Sequence, residues 1–283
     1  MLLSVIIPTC NRNNLLGICL DKLSPGFQTI AAENYEVIVT DDSKDNIARS
    51  FIQANYPWVT WVEGPKRGPA ANRNNGAKNA KGSWLVFIDD DCEPDKNILL
   101  KYSQAIKIDP EILAFEGRIY VNRDKQSYLE ESPVNETGNL FWSCNICIKQ
   151  TLFFSLKGFD EQYPYAAMED VDFFKRLKIK TDKYQFLIDA SVLHPWRNNK
   201  NLFGIILKRE KSTRYFLAKF PEERKKINSR FYIKAFLYFS KDTIQHLGKY
   251  GFKDFFYKLS CDSLQIYFAF KCLFIDIKAN QHD

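Results

Sequence analysis

Short apolar runs alternate with longer amphipathic segments over the first 110 residues. The runs cover residues 3–7, 35–40, 58–63 and 84–88 and are rich in Val, Ile and aromatic residues. Runs of this length and composition are typical of strands buried on both faces of a parallel sheet. Each segment between two runs has room for one helix. The pattern therefore predicts an α/β fold, in which a mostly parallel open sheet is flanked by helices.

The alternation becomes irregular after residue 110. Later apolar runs predict further strands at 112–121, 139–149 and 184–188. The polar stretch 122–138 predicts a mobile loop, and from residue 200 onward the apolar residues recur at helical spacing. We therefore expect one domain over residues 1–199, with halves of about 1–110 and 111–199, and an α-helical extension over residues 200–283.

Charge is distributed unevenly along the chain. The whole chain has a net charge of +6, whereas residues 200–283 contain 17 Lys and Arg against 8 Asp and Glu, a net charge of +9. A basic, aromatic-rich extension indicates an anionic neighbour, either lipid or nucleic acid. Its helices could pack on the first domain, or they could present an apolar face to a membrane surface. The apolar segment 264–277 contains Lys271 and is expected to lie among lipid headgroups without crossing.

Three features bear on the compartment. The seven cysteines are odd in number and irregularly spaced, as is typical of reduced thiols in the cytoplasm. The first residues lack a basic region, and Pro8 ends their apolar run, so they predict a strand and not a signal peptide. No run of about 18 uncharged apolar residues is present to span a bilayer. We expect a cytoplasmic location. If the helices of residues 200–283 present an apolar face to a membrane, we expect that contact to be peripheral and at the inner face of the membrane.

Polar clusters follow three of the predicted strands. Pro8 and Thr9 follow the first, Asp41 and Asp42 follow the second, and three aspartates at 89–91 follow the fourth. Ligands of open α/β sheets bind beyond the carboxyl ends of the strands, so these clusters predict one shared site. Adjacent, partly desolvated carboxylates need a positive neighbour, and hard oxygen ligands suit Mg²⁺ or Mn²⁺. The alternative is an acidic turn that only caps the next helix.

Several motifs together resemble family 2 glycosyltransferases of the GT-A fold, a Rossmann-like architecture. In chain order they are Ser-Val-Ile-Ile-Pro-Thr-Cys-Asn-Arg from Ser4, Glu-Val-Ile-Val-Thr-Asp-Asp-Ser from Glu36, Gly-Pro-Ala-Ala-Asn-Arg-Asn-Asn-Gly from Gly68, Phe-Ile-Asp-Asp-Asp from Phe87, Lys-Gly-Phe-Asp-Glu from Lys157 and Glu-Asp-Val-Asp from Glu169. The resemblance covers residues 3–196. It implies an inverting hexosyltransferase-type enzyme that uses a nucleotide-sugar donor, most commonly a UDP-sugar, and a divalent cation.

The resemblance also implies roles for individual residues. It assigns nucleotide-sugar binding to Pro8, Thr9, Asp42, Arg67, Arg73 and Asp90, metal binding to Asp89, Asp91 and His194, and catalysis to Asp170 as the base. Trp142 and Asn145 lie where relatives hold the sugar or the acceptor. The chemistry agrees, because a metal can neutralise a departing diphosphate while a carboxylate on another element removes the proton of the attacking hydroxyl. Glu169 or Asp172 could raise the proton affinity of Asp170.

Simpler interpretations exist for each element of the site. Asp41 and Asp42 could cap a helix, Asp170 could be an ordinary acid in a first helical turn, and His194 could be a packed histidine.

Three functions therefore remain open. The favoured one is glycosyl transfer to a saccharide or lipid-linked acceptor, in the biosynthesis of a surface polysaccharide or glycan. A nucleotidyltransferase could use the same carboxylates and metal. A nucleic-acid-binding module could use the basic helices of residues 200–283, although aromatic residues at the spacing of a helical core argue against it.

Overall fold

The computed structural model describes residues 2–45 and 47–279, which contain ten strands and ten α-helices. The strands are β1 (Leu3–Thr9), β2 (Tyr35–Asp41), β3 (Thr60–Glu63), β4 (Trp84–Ile88), β5 (Glu93–Pro94), β6 (Ala114–Tyr120), β7 (Glu130–Glu131), β8 (Asn145–Lys149), β9 (Tyr184–Leu193) and β10 (Arg197–Asn198). The helices are α1 (Asn13–Leu23), α2 (Ile47–Asn55), α3 (Pro69–Asn79), α4 (Ile98–Ile108), α5 (Gln150–Ser155), α6 (Glu169–Lys180), α7 (Leu202–Lys219), α8 (Ser229–Gln245), α9 (Leu247–Tyr250) and α10 (Phe255–Ala279).

Eight strands form one mixed sheet in the order β3–β2–β1–β4–β8–β6–β9–β5. In its parallel part, Val5 of β1 pairs with Val37 of β2 on one side and with Val86 of β4 on the other. β8 runs antiparallel to both β4 and β6. The carboxyl ends of β1, β2 and β4 therefore meet at one edge of the sheet. The predicted α/β architecture is confirmed, including the helical C-terminal region.

The sheet separates two hydrophobic cores, because successive residues of a strand point to opposite faces. Val5 and Val86 belong to the core formed with α1, α2 and α4, whereas Ile6 and Phe87 belong to the core formed with α3, α5 and α6. All four side chains are fully buried. Burial of each such side chain contributes about 2 kcal/mol. Burial on both faces explains why the strands appear in the sequence as continuous apolar runs.

The strand predicted over 139–149 is wrong for its first half, since β8 begins only at Asn145. The cause is the buried carboxylate of Glu116 in β6. It accepts hydrogen bonds from the backbone amides of Asn139 at 2.7 Å, Leu140 at 2.9 Å and Phe141. Asn139 and Phe141 take positive φ angles of 68° and 52° to direct their amides at this carboxylate. These amides are consequently not available to a neighbouring strand.

The described chain divides into two compact units. One consists of Met1–Asn122 and Ser132–Pro195, and the other of Arg123–Glu131 and Trp196–Asp283. Tyr128 and Leu129 are buried in the second unit, in a cluster with Leu202 and Phe255. Residues 123–131 are therefore packed, contrary to the expectation that the whole polar stretch 122–138 forms a mobile loop.

The second unit is built on three long helices, α7, α8 and α10. Thr243 near the end of α8 donates a 2.7 Å hydrogen bond to Asp262 of α10. Tyr232 near the start of α8 contacts the ring of Phe268, further along α10, with centroids 5.7 Å apart. The two helices therefore run antiparallel. Within residues 2–45 and 47–279, no helix combines the length and hydropathy needed to cross a bilayer.

Candidate active site

The middle carboxylate of the Asp89–Asp91 series turns toward the end of β1. Asp90 is fully buried and accepts a 2.7 Å hydrogen bond from Oγ1 of Thr9. Its Oδ1 lies 2.7 Å from Nη2 of Arg12. Burial raises the pKa of Asp90 to about 7, with the negative charges of its two neighbours adding to the shift and with Arg12 and Thr9 opposing it. Asp90 thus joins the ends of β1 and β4.

Asp91 faces a buried histidine that follows β9. Its Oδ1 lies 3.5 Å from Nε2 of His194, and its Oδ2 accepts a 3.0 Å hydrogen bond from Arg12. The other ring nitrogen, Nδ1, lies 3.0 Å from the carbonyl oxygen of Pro195 and 3.1 Å from the hydroxyl of Ser132. A carbonyl oxygen can only accept, so the contact with Pro195 is a hydrogen bond when Nδ1 carries a proton. In the neutral ring, that tautomer would leave the lone pair of Nε2 directed at the Asp91 side, where a cation could bind.

The donor atoms around Asp91 fit a divalent cation. Single ligand atoms from Asp91, Cys92 and His194 lie within 4.8 Å of one another. Carboxylate ligands suit Mg²⁺ and Mn²⁺, and imidazole ligands suit transition metals. The contact with Cys144 and burial raise the pKa of the Cys92 thiol well above its usual range, and hard cations such as Mg²⁺ and Mn²⁺ prefer oxygen ligands to sulfur. Asp91 and His194 are therefore the pair in this cluster that could hold a metal.

Asp89 points away from this cluster, toward α3. Nη2 of Arg73 donates a 2.7 Å hydrogen bond to Asp89, and Nη1 lies 3.4 Å from Glu169 at the start of α6. Burial alone would lower the pKa of Arg73, but the two carboxylates raise it above its usual value. The guanidinium is consequently a fixed positive charge that bridges the turn after β4 and the first turn of α6. In this structure the carboxylate of Asp89 is therefore paired with Arg73.

Two acids with altered proton affinity begin α6. Burial raises the pKa of Glu169 to about 7, with the charge of Asp170 adding to the shift and Arg73 opposing it. Burial also raises the pKa of Asp170, and Asp89 adds to this shift, whereas the amide of Val171 and the charge of Arg73 oppose it. Asp170 remains partly accessible. A carboxylate with raised proton affinity that a ligand can reach is suited to accept a proton.

Asp42, which follows β2, organises the loop after β3. It accepts hydrogen bonds from the backbone amides of Lys66 at 2.8 Å and Gly68 at 3.0 Å. Gly68 has a φ of +90°, which favours glycine. Burial raises the pKa of Asp42, while the two amides lower it. In the same loop, the exposed Arg67 forms a 2.8 Å ion pair with Glu161.

The predicted site residues form one connected group. The amide of Asp42 donates a 2.9 Å hydrogen bond to the carbonyl oxygen of Thr9, whose hydroxyl donates to Asp90. Arg12 joins Asp90 to Asp91, and Arg73 joins Asp89 to α6. Pro8 is buried in the penultimate position of β1. All ten predicted residues belong to the unit formed by Met1–Asn122 and Ser132–Pro195.

Sequence reasoning missed three residues of this group. Arg12 lies in the first motif, which implies no role for it, although it contacts two of the three aspartates. Glu161, the partner of Arg67, lies in the motif that begins at Lys157, which likewise implies no role for it. Ser132 lies in a polar stretch without any local pattern that would connect it with His194. Only the fold brings these two together.

One secondary prediction is wrong. Asn145 is fully buried, where it accepts a 2.8 Å hydrogen bond from Tyr102 and donates to the carbonyl oxygens of Arg118 and Ala190. It therefore holds strands and a helix together and does not face an acceptor. Asp172 is paired with Arg176, whereas Glu169 interacts with Asp170, since the charge of Asp170 raises the pKa of Glu169.

Comparison with curated proteins identifies related bacterial chains. An uncharacterized glycosyltransferase of Haemophilus influenzae is 31% identical over 195 residues, which are 62% of this chain and 62% of the relative. The chain thus spans less than two thirds of that relative's length.

Solved structures give the fold. TarS 1–349 of S. aureus in complex with UDP-GlcNAc has a TM-score of 0.57 at 16% identity, covering 95% of this chain and 90% of that chain. The mannosyltransferase PcManGT of Pyrobaculum calidifontis, in complex with GDP-Man and Mn²⁺, has a TM-score of 0.55 at 18% identity, covering 73% of this chain and 60% of that chain.

These structural neighbours are GT-A glycosyltransferases, and the likeness to them confirms the fold that the motifs predict. The profile of the family named Glycosyl transferase family 2 matches residues 4–169, more than half of the chain. The chain therefore belongs to glycosyl transferase family 2.

Proposed function

We propose that the protein transfers a sugar from a UDP-sugar to a hydroxyl of a saccharide or lipid-linked acceptor, with inversion at the anomeric carbon. The observation that carries this proposal is the connected group of carboxylates and arginines at the ends of β1, β2 and β4, with Asp170 approaching it from another element. The two neighbours with bound nucleotide sugars, TarS and PcManGT, support a donor of that class.

Donor binding uses the strand ends and the loop after β3. Thr9 and Asp42 line the position expected for the nucleoside, and Arg67 is exposed enough to reach a diphosphate. Arg67 pairs with Glu161 at 2.8 Å, with 62% of its side chain exposed. A surface pair of this kind is held by about 1 kcal/mol or less, so a diphosphate with two charges could displace Glu161.

Asp91 and His194 would hold Mn²⁺ or Mg²⁺. When bound, the cation supplies Lewis-acid stabilisation of the negative charge on the departing diphosphate. Ser132 and the carbonyl oxygen of Pro195 fix the orientation of the imidazole ring. Arg12, on the carboxylates of Asp90 and Asp91, adds positive charge to the same region.

Asp170 would act as the general base. The acceptor oxygen forms a bond to the anomeric carbon on the face opposite the nucleotide, while the bond from that carbon to the phosphate oxygen breaks. The hydroxyl proton passes to Asp170, and the nucleoside diphosphate leaves with the electron pair. Arg73 holds the preceding residue, Glu169, and thereby fixes the first turn of α6.

A footprinting experiment tests donor binding. Cys10 follows Thr9 and is the one exposed cysteine among the seven. Partial burial and the charges of Asp42 and Asp41 raise its pKa, so the alkylation is run at mildly alkaline pH. UDP with Mn²⁺ should slow the alkylation of Cys10 but not that of the half-buried Cys272. Equal alkylation of Cys10 with and without UDP, GDP or dTDP would contradict the proposed donor site.

Product analysis tests the reaction. Purified protein is incubated with Mn²⁺, candidate UDP-sugars and saccharide acceptors, and UDP release and glycoside formation are measured. The product of an inverting enzyme has the anomeric configuration opposite to that of the donor. A product that retains the donor configuration would contradict the role of Asp170, and transfer of a nucleotidyl group would favour the nucleotidyltransferase alternative.

A further inference from the structure

We propose that α8, together with an exposed stripe of α10, docks on an anionic lipid surface. This inference deepens the proposed function by naming the surface at which a lipid-linked acceptor would be met. Only the encounter with a lipid-linked acceptor rests on the proposed function. The evidence for docking comes from the second unit alone.

The buried side chains of helix α8 are held by hydrogen bonds, whereas several of its aliphatic side chains are exposed. Its only buried side chains among the described residues are Tyr232 and Thr243. The hydroxyl of Tyr232 donates to Glu210 of α7 at 2.6 Å, and that of Thr243 donates to Asp262 of α10 at 2.7 Å. Burial, reinforced by Glu210, raises the pKa of Tyr232 far above its usual value, so this hydroxyl remains a donor. The helix is therefore anchored by hydrogen bonds.

The outward face of α8 carries an aliphatic stripe. Ile233, Leu237 and Ile244 are exposed by 42%, 60% and 57%. Their spacing of four and eleven residues places them on one face of the helix, with Ser240 between them. Within a folded monomer the exposed part of each of these side chains gains nothing from the hydrophobic effect. A stripe of this kind indicates contact with an apolar medium or partner.

A row of basic residues runs beside the stripe. Arg230, Lys234 and Lys241 are exposed and have the same spacing of four and eleven residues, displaced by about 60° around the helix. The sole acid in the sequence of α8 is Asp242, and it pairs with His246 at 3.3 Å. An aliphatic stripe flanked by Lys and Arg is the pattern of a helix that lies in a membrane interface.

Helix α10 adds a second exposed stripe. Phe256, Tyr267 and Phe270 are exposed and lie, with Ser260 and Ser263, at spacings that keep them on one face. Nζ of Lys271 lies 4.3 Å from the centroid of the Tyr267 ring. Aromatic rings with adjacent ammonium groups suit the headgroup level of a bilayer.

Within the apolar segment 264–277, which is expected to lie among lipid headgroups, the described side chains of residues 264–273 are only partly exposed. Leu264 and Phe268 are buried against Tyr232, and the side chains of residues 274–277 lie outside the description.

The charges favour lipid over a second copy of the chain. A two-fold interface brings the same patch of both copies together. The row of Arg230, Lys234 and Lys241 would then approach its own equivalent, and like charges in an interface are unfavourable. An anionic bilayer instead complements this row, while its hydrocarbon accepts Ile233 and Leu237.

Nucleic acid is the other anionic candidate. The exposed Phe231 and Tyr238 correct the expectation that the aromatic residues of this region occupy a helical core. They could stack on bases. The stripe of Ile233, Leu237 and Ile244 has no counterpart in that mode of binding, because aliphatic side chains gain more from hydrocarbon than from bases. Lipid accounts for the aliphatic and the basic rows together.

Vesicle flotation of the full chain tests the proposal. The vesicles are either phosphatidylcholine alone or phosphatidylcholine mixed with phosphatidylglycerol. The protein should float with the mixed vesicles and stay at the bottom with phosphatidylcholine alone. The double variant Leu237→Glu/Ile244→Glu should lower the apparent affinity by at least about tenfold, and Lys234→Glu/Lys241→Glu by about tenfold or more with loss of the preference for phosphatidylglycerol.

A matched control separates docking from general surface effects. Ile188 of β9 in the first unit is exposed by 58%, almost the value of Ile244, so Ile188→Glu should leave flotation unchanged. Circular dichroism of each variant checks that the fold is retained, as substitutions at exposed positions should permit.

Several outcomes would overturn the proposal. The first two are failure of the unmodified chain to float and equal flotation of all variants. The third is a dimer of the unmodified chain that is lost in the Leu237→Glu/Ile244→Glu variant but not in the other variants. The fourth is binding of single-stranded RNA in competition with vesicles. Transfer to a free saccharide acceptor is measured in parallel. Flotation can therefore fail while sugar transfer persists, and sugar transfer can fail while flotation persists.

Discussion

The guanidinium of Arg73 donates a 2.7 Å hydrogen bond to Asp89 and so ties α3 to the turn after β4. Arg73 is almost fully buried, and its other terminal nitrogen lies 3.4 Å from Glu169. Three elements of the site, the turn after β4, α3 and the first turn of α6, therefore depend on one cation. Its loss would leave two carboxylates near each other without compensation.

Replacing Arg73 should destabilise the fold strongly. We expect Arg73→Gln to lower the free energy of unfolding by about 3–5 kcal/mol, the usual cost of breaking a buried ion pair by removal of one partner. Arg67→Gln is the matched control, since the exposed pair of Arg67 with Glu161 should contribute about 1 kcal/mol or less. Urea denaturation measures both. Equal destabilisation by the two substitutions would contradict the bridging role of Arg73.

The pKa of Glu169 predicts a pH dependence of stability. Its folded-state pKa of about 7 exceeds the value of about 4.3 expected in the unfolded chain. The folded state therefore binds the proton of Glu169 more tightly than the unfolded state does. This difference contributes to the free energy of unfolding fully below about pH 4, and the contribution is lost as the pH rises to about 7. Glu169→Gln should remove that loss.

The measurement compares unfolding free energies of the two proteins between pH 5 and 8. The unmodified protein should lose stability relative to Glu169→Gln by up to about 1.4 kcal/mol per pH unit between pH 5 and 7, the limit for one proton. Asp90 titrates in both proteins and cancels in the comparison. Parallel stability curves would show that Glu169 is ionised throughout this range.

Asp170→Asn should abolish transfer without abolishing donor binding. Loss of a general base lowers the rate by about 10²–10⁴-fold. UDP should still protect Cys10 from alkylation, because the donor contacts are on other elements. In the unmodified protein, activity should fall as the pH drops through the raised pKa of Asp170, since the protonated carboxyl cannot accept a proton.

Initial rates of UDP release in the presence of acceptor measure this effect. Asp182→Asn, an exposed acid in the turn after α6, is the control and should retain full activity. Undiminished transfer by Asp170→Asn would assign the base to another residue.

Ser132→Ala should weaken metal binding although Ser132 is not itself a proposed ligand. Its hydroxyl lies 3.1 Å from Nδ1 of His194 and helps to orient the ring. Loss of such a supporting contact typically lowers metal affinity by about tenfold to a hundredfold. Titration with Mn²⁺, followed by the electron paramagnetic resonance of the free ion, gives the affinity. Ser155→Ala in α5 should leave it unchanged, and an unchanged affinity of Ser132→Ala would contradict the supporting role of Ser132.

The sheet and the position of the site could be predicted because both follow from local patterns. Apolar runs located β1, β2 and β4 nearly to the residue, and parallel strands necessarily bring their carboxyl ends together. That rule alone placed Thr9, Asp42 and the aspartates after β4 at one edge. The place of Asp170 came from family resemblance, since no local pattern relates α6 to that edge.

Long-range contacts explain what could not be predicted. The apolar pattern over 139–149 has strand periodicity, but Glu116, more than 20 residues earlier, binds the amides of Asn139 and Leu140. Tyr128 and Leu129 lie in a polar stretch, and only Leu202 and Phe255 in the tertiary structure bury them. The exposed aliphatic stripe of α8 could not be recognised from the sequence, because aromatic residues lie between its members and obscure the periodicity.

The membership of residues 123–131 in the helical unit has a practical consequence for protein engineering. The backbone leaves the sheet-containing unit after Asn122, returns at Ser132 and leaves again after Pro195. A gene fragment that stops at residue 199 would retain Tyr128 and Leu129 but lack Leu202 and Phe255, which cover them. Such a fragment would expose the apolar side chains of Tyr128 and Leu129 and should aggregate. The C-terminal helices therefore cannot be deleted by truncation without exposing part of this cluster.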